Sequence, residues 1–213
     1  MMYRTIPFLS ALAFLFLNLS CKTGDDFASD GVTTEVNLSV GCEDAYYPPW
    51  QISPYALPYP VGKSYSIGLS NCGGGTHSEG QPDQFAINII MPIGSTVTAS
   101  RHGTVMFVEE SGLNYEDTNN MVIVRDEDGF FIQYQHLAPD GALVEVGDFV
   151  SYGQPIALSG ASGLANSAYL HLVVTRFGDW RFPYRRSYPI TFFNTSPNPH
   201  SLIQGETYEA LSY

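Results

Sequence analysis

The stretch "HSEGQPDQFAINIIMPIGSTVTASRHGTV", His77 to Val105, carries most of the structural information in this chain. It opens on a His that ends a Gly-rich loop, Gly73 to Gly75. "QFAINIIMP" follows as a buried run of strand length, stopped by Pro92, which has no N–H to give a ladder. Short β-prone phrases come next, around Thr96–Ala99 and from Gly103. Runs of Ile, Val and Thr cut by Gly and Pro predict short strands joined by tight turns.

The remainder of the chain continues the pattern. Strands are predicted over Gly103–Glu109 and Met121–Arg125, and the turn "DEDG" (Asp126 to Gly129) joins the second to "FFIQYQHL" as a hairpin. "VEVGDFVSYGQPIALSG" alternates like a strand, broken at Gly147 and Gly153. "YLHLVVTR" is the last strong strand. It sets Tyr169, His171, Val173 and Thr175 on one face and Leu170, Leu172 and Val174 on the other. Before the Gly-rich loop, "SPYALPYPVGKSYSIGL" (Ser53 to Leu69) reads as an extended, Pro-rich arm. No amphipathic helix is found. The expected class is all-β, with a compact antiparallel core.

Composition agrees. The 213 residues include 20 Gly, 14 Pro, 14 Tyr and 13 Phe, a mixture that argues against helical bundles. At 44% hydrophobic the chain can bury a core, which excludes general disorder. Nine basic residues against 21 acidic ones give a net charge of −12. That balance excludes nucleic acid as a partner and weakens any reading as a binder of anionic lipid or wall polymer.

The amino terminus reads as an address. Arg4 precedes an apolar run from Ile6 to Leu19, and Ser20-Cys21 follows, which describes an export signal over 1–20. Ser20-Cys21 also resembles a bacterial lipobox, which implies lipidation of Cys21, although Asn18 stands where a Leu is usual. An ordinary signal cut nearby is the competing reading. Residues 21–52 are expected to be a tether and the start of the arm, 53–176 the β core, and 177–213 a tail packing back on it. The implied location is the cell envelope, with membrane contact only through a lipid anchor. Export makes Cys42 and Cys72 a disulfide pair, worth roughly 3–4 kcal/mol through loop closure. Two buried free thiols are the alternative.

Of the five His, three have informative company. His77 ends the Gly-rich loop, His136 closes "IQYQHL", and His171 alternates with Tyr169 on one strand face. His102 and His200 read as exposed. Imidazoles brought to one face by strands and loop ends suit a zinc ion.

In their order, "HSEGQPDQFAINIIMPIGSTVTASRHGTV", "YQHLAPDGALVEVGDFVSYGQPIALSGASG" and "YLHLVV" closely resemble the lysostaphin/LytM-type zinc metallopeptidases. The resemblance runs from about Tyr55 to Thr175 and extends toward "YPITFFN". It implies a compact, barrel-sandwich-like antiparallel core and zinc-dependent cleavage of peptidoglycan peptides. Carried over by motif, the metal-binding His falls on His77 and the metal-binding Asp on Asn88, four residues before Pro92. The second metal-binding His falls on His171. One catalytic His falls on His136, and the other position holds Tyr169.

Two positions therefore depart from the pattern. Asn88 offers a neutral carbonyl where a carboxylate is usual, which weakens zinc retention. Tyr169 can donate a hydrogen bond but cannot act as a base at neutral pH. Glu79 or Asp83 could swing in as a substitute carboxylate, although neither has the register with Pro92. The expectation is a degenerate site with weak or absent zinc, on a protein that acts on or binds peptidoglycan stem or cross-link peptides, or another wall hydrolase. An active zinc endopeptidase is the alternative. A carrier domain is suggested by the Gly-Asp turn in "VEVGDFVSYGQPI", but Lys22 and Lys63 are the only Lys and neither sits on a suitable hairpin tip.

Overall fold

The computed structural model describes residues 41–176 and 180–213. The expected export segment, Cys21 and most of the tether lie outside them. The strands are β1 (Ser64–Leu69), β2 (Ile87–Ile90), β3 (Thr96–Thr98), β4 (Gly103–Glu109), β5 (Met121–Arg125), β6 (Phe130–Gln135), β7 (Leu137–Ala142), β8 (Phe149–Val150), β9 (Pro155–Ser159), β10 (Leu170–Arg176) and β11 (Thr207–Glu209). Eight of them form one sheet in the order β11-β1-β2-β10-β6-β5-β4-β8, and three form a second in the order β3-β9-β7. All pairings between these strands are antiparallel, as the all-β expectation requires. Among the described residues no helix is long and apolar enough to cross a membrane.

Alternation along the strands explains which side of the large sheet is filled. Leu170, Leu172 and Val174 of β10 lie in the main core with Ile87 and Ile89 of β2, Ile132 and Tyr134 of β6, and Val122 and Val124 of β5. The alternate residues face the other way, and there the sheet presents polar side chains. The β5–β6 hairpin forms at the predicted turn: Gly129 takes φ 80°, and Asp126 Oδ1 accepts a hydrogen bond from the Phe130 N–H at 2.8 Å. Each fully buried Leu or Ile on the core side adds roughly 1.5–3 kcal/mol of hydrophobic stabilisation.

The arm and the segment after β10 complete this core. Tyr55, Leu57 and Tyr59 are buried in it beside Ile190, Phe192, Leu202 and Tyr208. Asn194 Oδ1 accepts from the Leu57 N–H at 2.7 Å, and β11 pairs with β1 at the sheet edge. The Cys42–Cys72 disulfide is formed, with Cα atoms 5.2 Å apart. It ties the start of the arm to the loop that carries His77.

One junction differs from the sequence expectation. "FFIQYQHL" reads as a single strand, but the chain turns at His136, which takes φ 61°. β6 ends before it in the large sheet, and β7 starts after it in the small one. The corner needs Gly160 behind it: a Cβ there would come within 2.5 Å of the Leu137 and Ala138 backbone. Without that side chain, the Gly160 N–H reaches the His136 carbonyl at 2.9 Å.

Candidate metal and peptide site

Strand register assembles the site. Asn88 of β2 is the cross-strand partner of His171 on β10, and His171 is also paired with Gln135 on β6. Gln135 in turn faces Met121 on β5. A row of four side chains, Asn88, His171, Gln135 and Met121, thus crosses the polar face of the large sheet. His77 reaches the same place from a short 3-10 turn, Gly75–His77, that ends the Gly-rich loop. His136 enters from the corner between the two sheets.

The five residues expected at the site do come together. The His77 and His171 ring centroids are 5.4 Å apart, those of His136 and His171 5.9 Å, and those of His136 and Tyr169 4.7 Å. Asn88 Oδ1 lies 2.8 Å from His171 Nδ1. The His136, Tyr169 and His171 rings line a cleft of about 610 Å³, shared with Asp83, Phe107, Trp180 and Phe182, while His77 is fully buried. His102 is partly exposed, 3.6 Å from Glu127 and away from this cluster. The expectation of an exposed His200 needs correction: its ring packs edge-on against Tyr47 with centroids 5.6 Å apart, and its Nδ1 is buried.

Protonation follows from the packing. His136 Nδ1 sits 2.7 Å from the Ser162 carbonyl, which can only accept, so Nδ1 carries the hydrogen and Nε2 the lone pair. Burial, together with the adjacent His171 ring, pushes the His136 pKa down to about 4. His77 is also lowered to about 4, by burial first and His171 second. Both rings are therefore neutral at pH 7, the state in which imidazole binds a metal or takes up a proton. Tyr169 shifts upward, mainly from burial and further from the Asp83 charge, so its phenol stays protonated.

The zinc implied by the sequence resemblance can be tested against these atoms. His77 Nε2 is fully buried and has no hydrogen-bond partner, an arrangement that costs about 1–3 kcal/mol unless something occupies it. His77, His171 and Asn88 supply two imidazoles and one amide oxygen at one spot. The two imidazoles fit a divalent ion in kind and in place, whereas the third donor is neutral. Among the described residues no three His, Cys, Asp or Glu side chains group as a metal site.

Several neighbours escaped the sequence reading. Asn119 Oδ1 accepts from the His136 N–H at 3.0 Å, while its Nδ2 donates to Gln135 Oε1 at 2.9 Å. Gln135 donates to Gln133 Oε1, and Gln133 donates to Thr175 Oγ1 and the Trp180 carbonyl. This amide ladder floors the cleft beside the His cluster. Its signal was available, since two Gln alternate on a strand otherwise made of Phe, Ile and Tyr. Phe107 and Trp180, with centroids 4.7 Å apart, form an aromatic wall whose meeting depends on tertiary structure alone.

The chain is similar to several known proteins. Residues 83–183 match the profile of Peptidase family M23, a span that includes Asn88, His136, Tyr169 and His171 and begins after His77. Lysostaphin of Staphylococcus staphylolyticus and lysostaphin of Staphylococcus simulans are each 32% identical over 115 residues, which is 54% of this chain. The match spans only about a fifth of those relatives, 20% and 19% of their lengths. Among solved structures, the catalytic domain of the antimicrobial peptidase lysostaphin from S. simulans is 27% identical with a TM-score of 0.40, covering 59% of this chain and 79% of that one. A zinc containing peptidase from Vibrio cholerae is 25% identical with a TM-score of 0.46, covering 63% and 39%.

Proposed function

We propose that this protein, whose core over residues 83–183 is of the lysostaphin/LytM-type Peptidase family M23, is an exported cell-envelope protein that binds peptidoglycan stem or cross-link peptides in the His-lined cleft. In this reading it holds zinc weakly and cleaves slowly or not at all. The observation that carries it is the pair of substitutions at the centre of the site. Asn88 brings no charge to His77 and His171, and a Tyr169 phenol stands 4.7 Å from His136 where a second imidazole is expected.

His77, His171 and Asn88 would hold the ion. When bound, it would polarise a peptide carbonyl and acidify a water. His136 is oriented for that chemistry, with its Nε2 lone pair available as a base. Tyr169 can donate a hydrogen bond to a developing oxyanion but cannot shuttle the second proton. The amide ladder and the Phe107–Trp180 wall suit an extended peptide. Amides pair with its backbone, and the rings cover its apolar groups. Lipid anchoring through Cys21 is part of the same proposal, since it would keep the domain beside the wall.

A second reading, an active zinc endopeptidase, is favoured by the buried, unpartnered His77 Nε2, which an ion would satisfy. Metal analysis of the purified protein after dialysis, with calorimetric titration of soluble cross-linked wall peptides, separates the two. Peptide binding with substoichiometric zinc and no new amine termini is the expected result. Stoichiometric zinc with brisk cleavage replaces the first reading with the second, and absence of peptide binding with or without zinc removes both.

A further inference from the structure

The amides that floor the cleft form a chain with one direction. It starts at the His136 N–H, which donates to Asn119 Oδ1 at 3.0 Å. Asn119 Nδ2 donates to Gln135 Oε1 at 2.9 Å, and Gln135 Nε2 donates to Gln133 Oε1 at 3.2 Å. The chain ends where Gln133 Nε2 donates to the Trp180 carbonyl at 3.0 Å and to Thr175 Oγ1 at 3.1 Å. A backbone N–H only donates and a backbone carbonyl only accepts, so both ends demand the same direction. Turning over one amide, or all of them, sets oxygen against oxygen and N–H against N–H. The fold therefore fixes orientations that a primary amide by itself leaves open.

What the chain leaves over differs along its length. A primary amide has two N–H groups and two lone pairs. Gln133 uses both N–H groups and is buried. Gln135 uses one N–H on Gln133 and one lone pair for Asn119, so one of each remains. It is half-buried and lines the cleft, where an occupant meets it. Gln135 is also the cross-strand partner of His171, one strand spacing or about 4.8 Å across the sheet. Met121, its partner on the other side, brings no N–H or O–H donor. An extended peptide presents backbone carbonyls whatever its side chains are, and main-chain hydrogen bonds of this kind supply affinity. An amide already held by two neighbours also gives up little rotamer freedom when such a peptide binds.

We propose that Gln135 reads the backbone of a bound peptide, donating its remaining Nε2–H to a peptide carbonyl beside His171, and that Asn119 is the positioning residue that holds this amide in one orientation. The proposal rests on the reading above that the cleft takes wall peptides, and narrows it to a contact with a peptide group at a named place. An ester at that place, whose carbonyl is the weaker acceptor, is discriminated against.

The test titrates a synthetic cross-linked wall peptide by calorimetry, with chelator present, together with a series in which each backbone amide in turn is replaced by an ester. The proteins are the unmodified chain, Gln135→Met, which keeps the length and removes the donor, and Asn119→Asp. The last still accepts from the His136 N–H but sets an oxygen against Gln135 Oε1. Gln135→Met should weaken the all-amide peptide by about 3- to 10-fold, the worth of one neutral hydrogen bond. One ester should weaken binding to the unmodified protein and have no further effect in Gln135→Met. Asn119→Asp should weaken the all-amide peptide in the same direction. The NMR signal of the Gln135 side-chain amide is a readout that a packing role would not move: it should shift when the all-amide peptide is added, and less with the coupled ester. Equal affinity of Gln135→Met and the unmodified protein overturns the proposal, and so does a Gln135 amide signal that stays in place on binding. Full affinity in Asn119→Asp overturns the positioning role. If Gln135→Met does not fold, the amide signal and Asn119→Asp decide in the same way. Failure of the peptide-binding reading looks different, because the unmodified protein then binds none of these peptides, and the proposal falls with it.

Discussion

Lowering the pH from 7 to 5 should destabilise the metal-free protein, with His136 responsible for a separable share of the loss. The residue is 9% exposed, and its pKa is pushed down to about 4 by burial and by the His171 ring. The unfolded chain takes up this proton as the pH falls through about 6.5, whereas the folded protein resists it until about 4. Stability is therefore fully present above the unfolded value, declines as the pH falls through the window between the two, and levels off below the folded value. At pH 5 the imidazole is about 1.5 units inside that window, which at about 1.36 kcal/mol per unit is roughly 2 kcal/mol. His77, fully buried and lowered to the same value, contributes in the same direction. Together they approach roughly 4 kcal/mol, a large part of the typical total of about 5–15 kcal/mol. Both rings border His171, so this sum is an upper figure.

His136→Asn isolates the effect. The position has φ 61°, which Asn tolerates better than most residues. The variant loses the contact to the Ser162 carbonyl, costing about 1 kcal/mol at pH 7. It should nevertheless be less sensitive to acid. Urea unfolding at pH 7 and pH 5, followed by Trp fluorescence with chelator present, gives both stabilities. The unmodified protein should lose about 2 kcal/mol more than the variant across that interval. Equal losses in the two proteins would refute the reasoning, since they would place the acid sensitivity in groups other than this imidazole.

Three further outcomes are expected. Asn88→Asp with Tyr169→His should raise zinc occupancy first and peptide cleavage second, and Asn88→Asp alone should recover metal with little turnover; against a doubly charged ion the added charge is worth about 8 kcal/mol at 4 Å in a partly screened site, most of it offset by desolvation, which leaves a gain of about 10- to 100-fold in affinity. Removing the disulfide with paired Ser substitutions at Cys42 and Cys72 should cost roughly 3–4 kcal/mol, read as a lower urea midpoint. Asn120→Ala should cost about 2–4 kcal/mol, because this buried amide pairs with the Gly112 N–H and carbonyl and the Ala138 carbonyl at 2.7–3.1 Å and leaves them unsatisfied when lost; denaturant titration with an unchanged m-value checks it.

What could be read from the chain and what could not divide along a physical line. Strand period, Pro92 and the Gly-Asp turns are local, and they located the strands that place Asn88, His136, Tyr169 and His171. Register between β2 and β10 is set by burying Ile87 and Ile89 with Leu170 and Leu172, so the Asn88–His171 pairing on the opposite face follows from the same apolar pattern. His136 was legible as a residue but not as a corner. Its positive φ depends on Gly160 approaching from 24 residues away in sequence, which no periodicity records. Asp83 shows the limit most clearly. Measured along the chain it has the wrong offset from Pro92 to replace a ligand. Its contact with His171 comes through space, across the sheet and under Tyr184, a residue about a hundred positions later. A motif compares positions along one line, whereas charge acts across whatever distance the fold leaves. A site can therefore lose a carboxylate from its motif while another carboxylate still acts on the same imidazole.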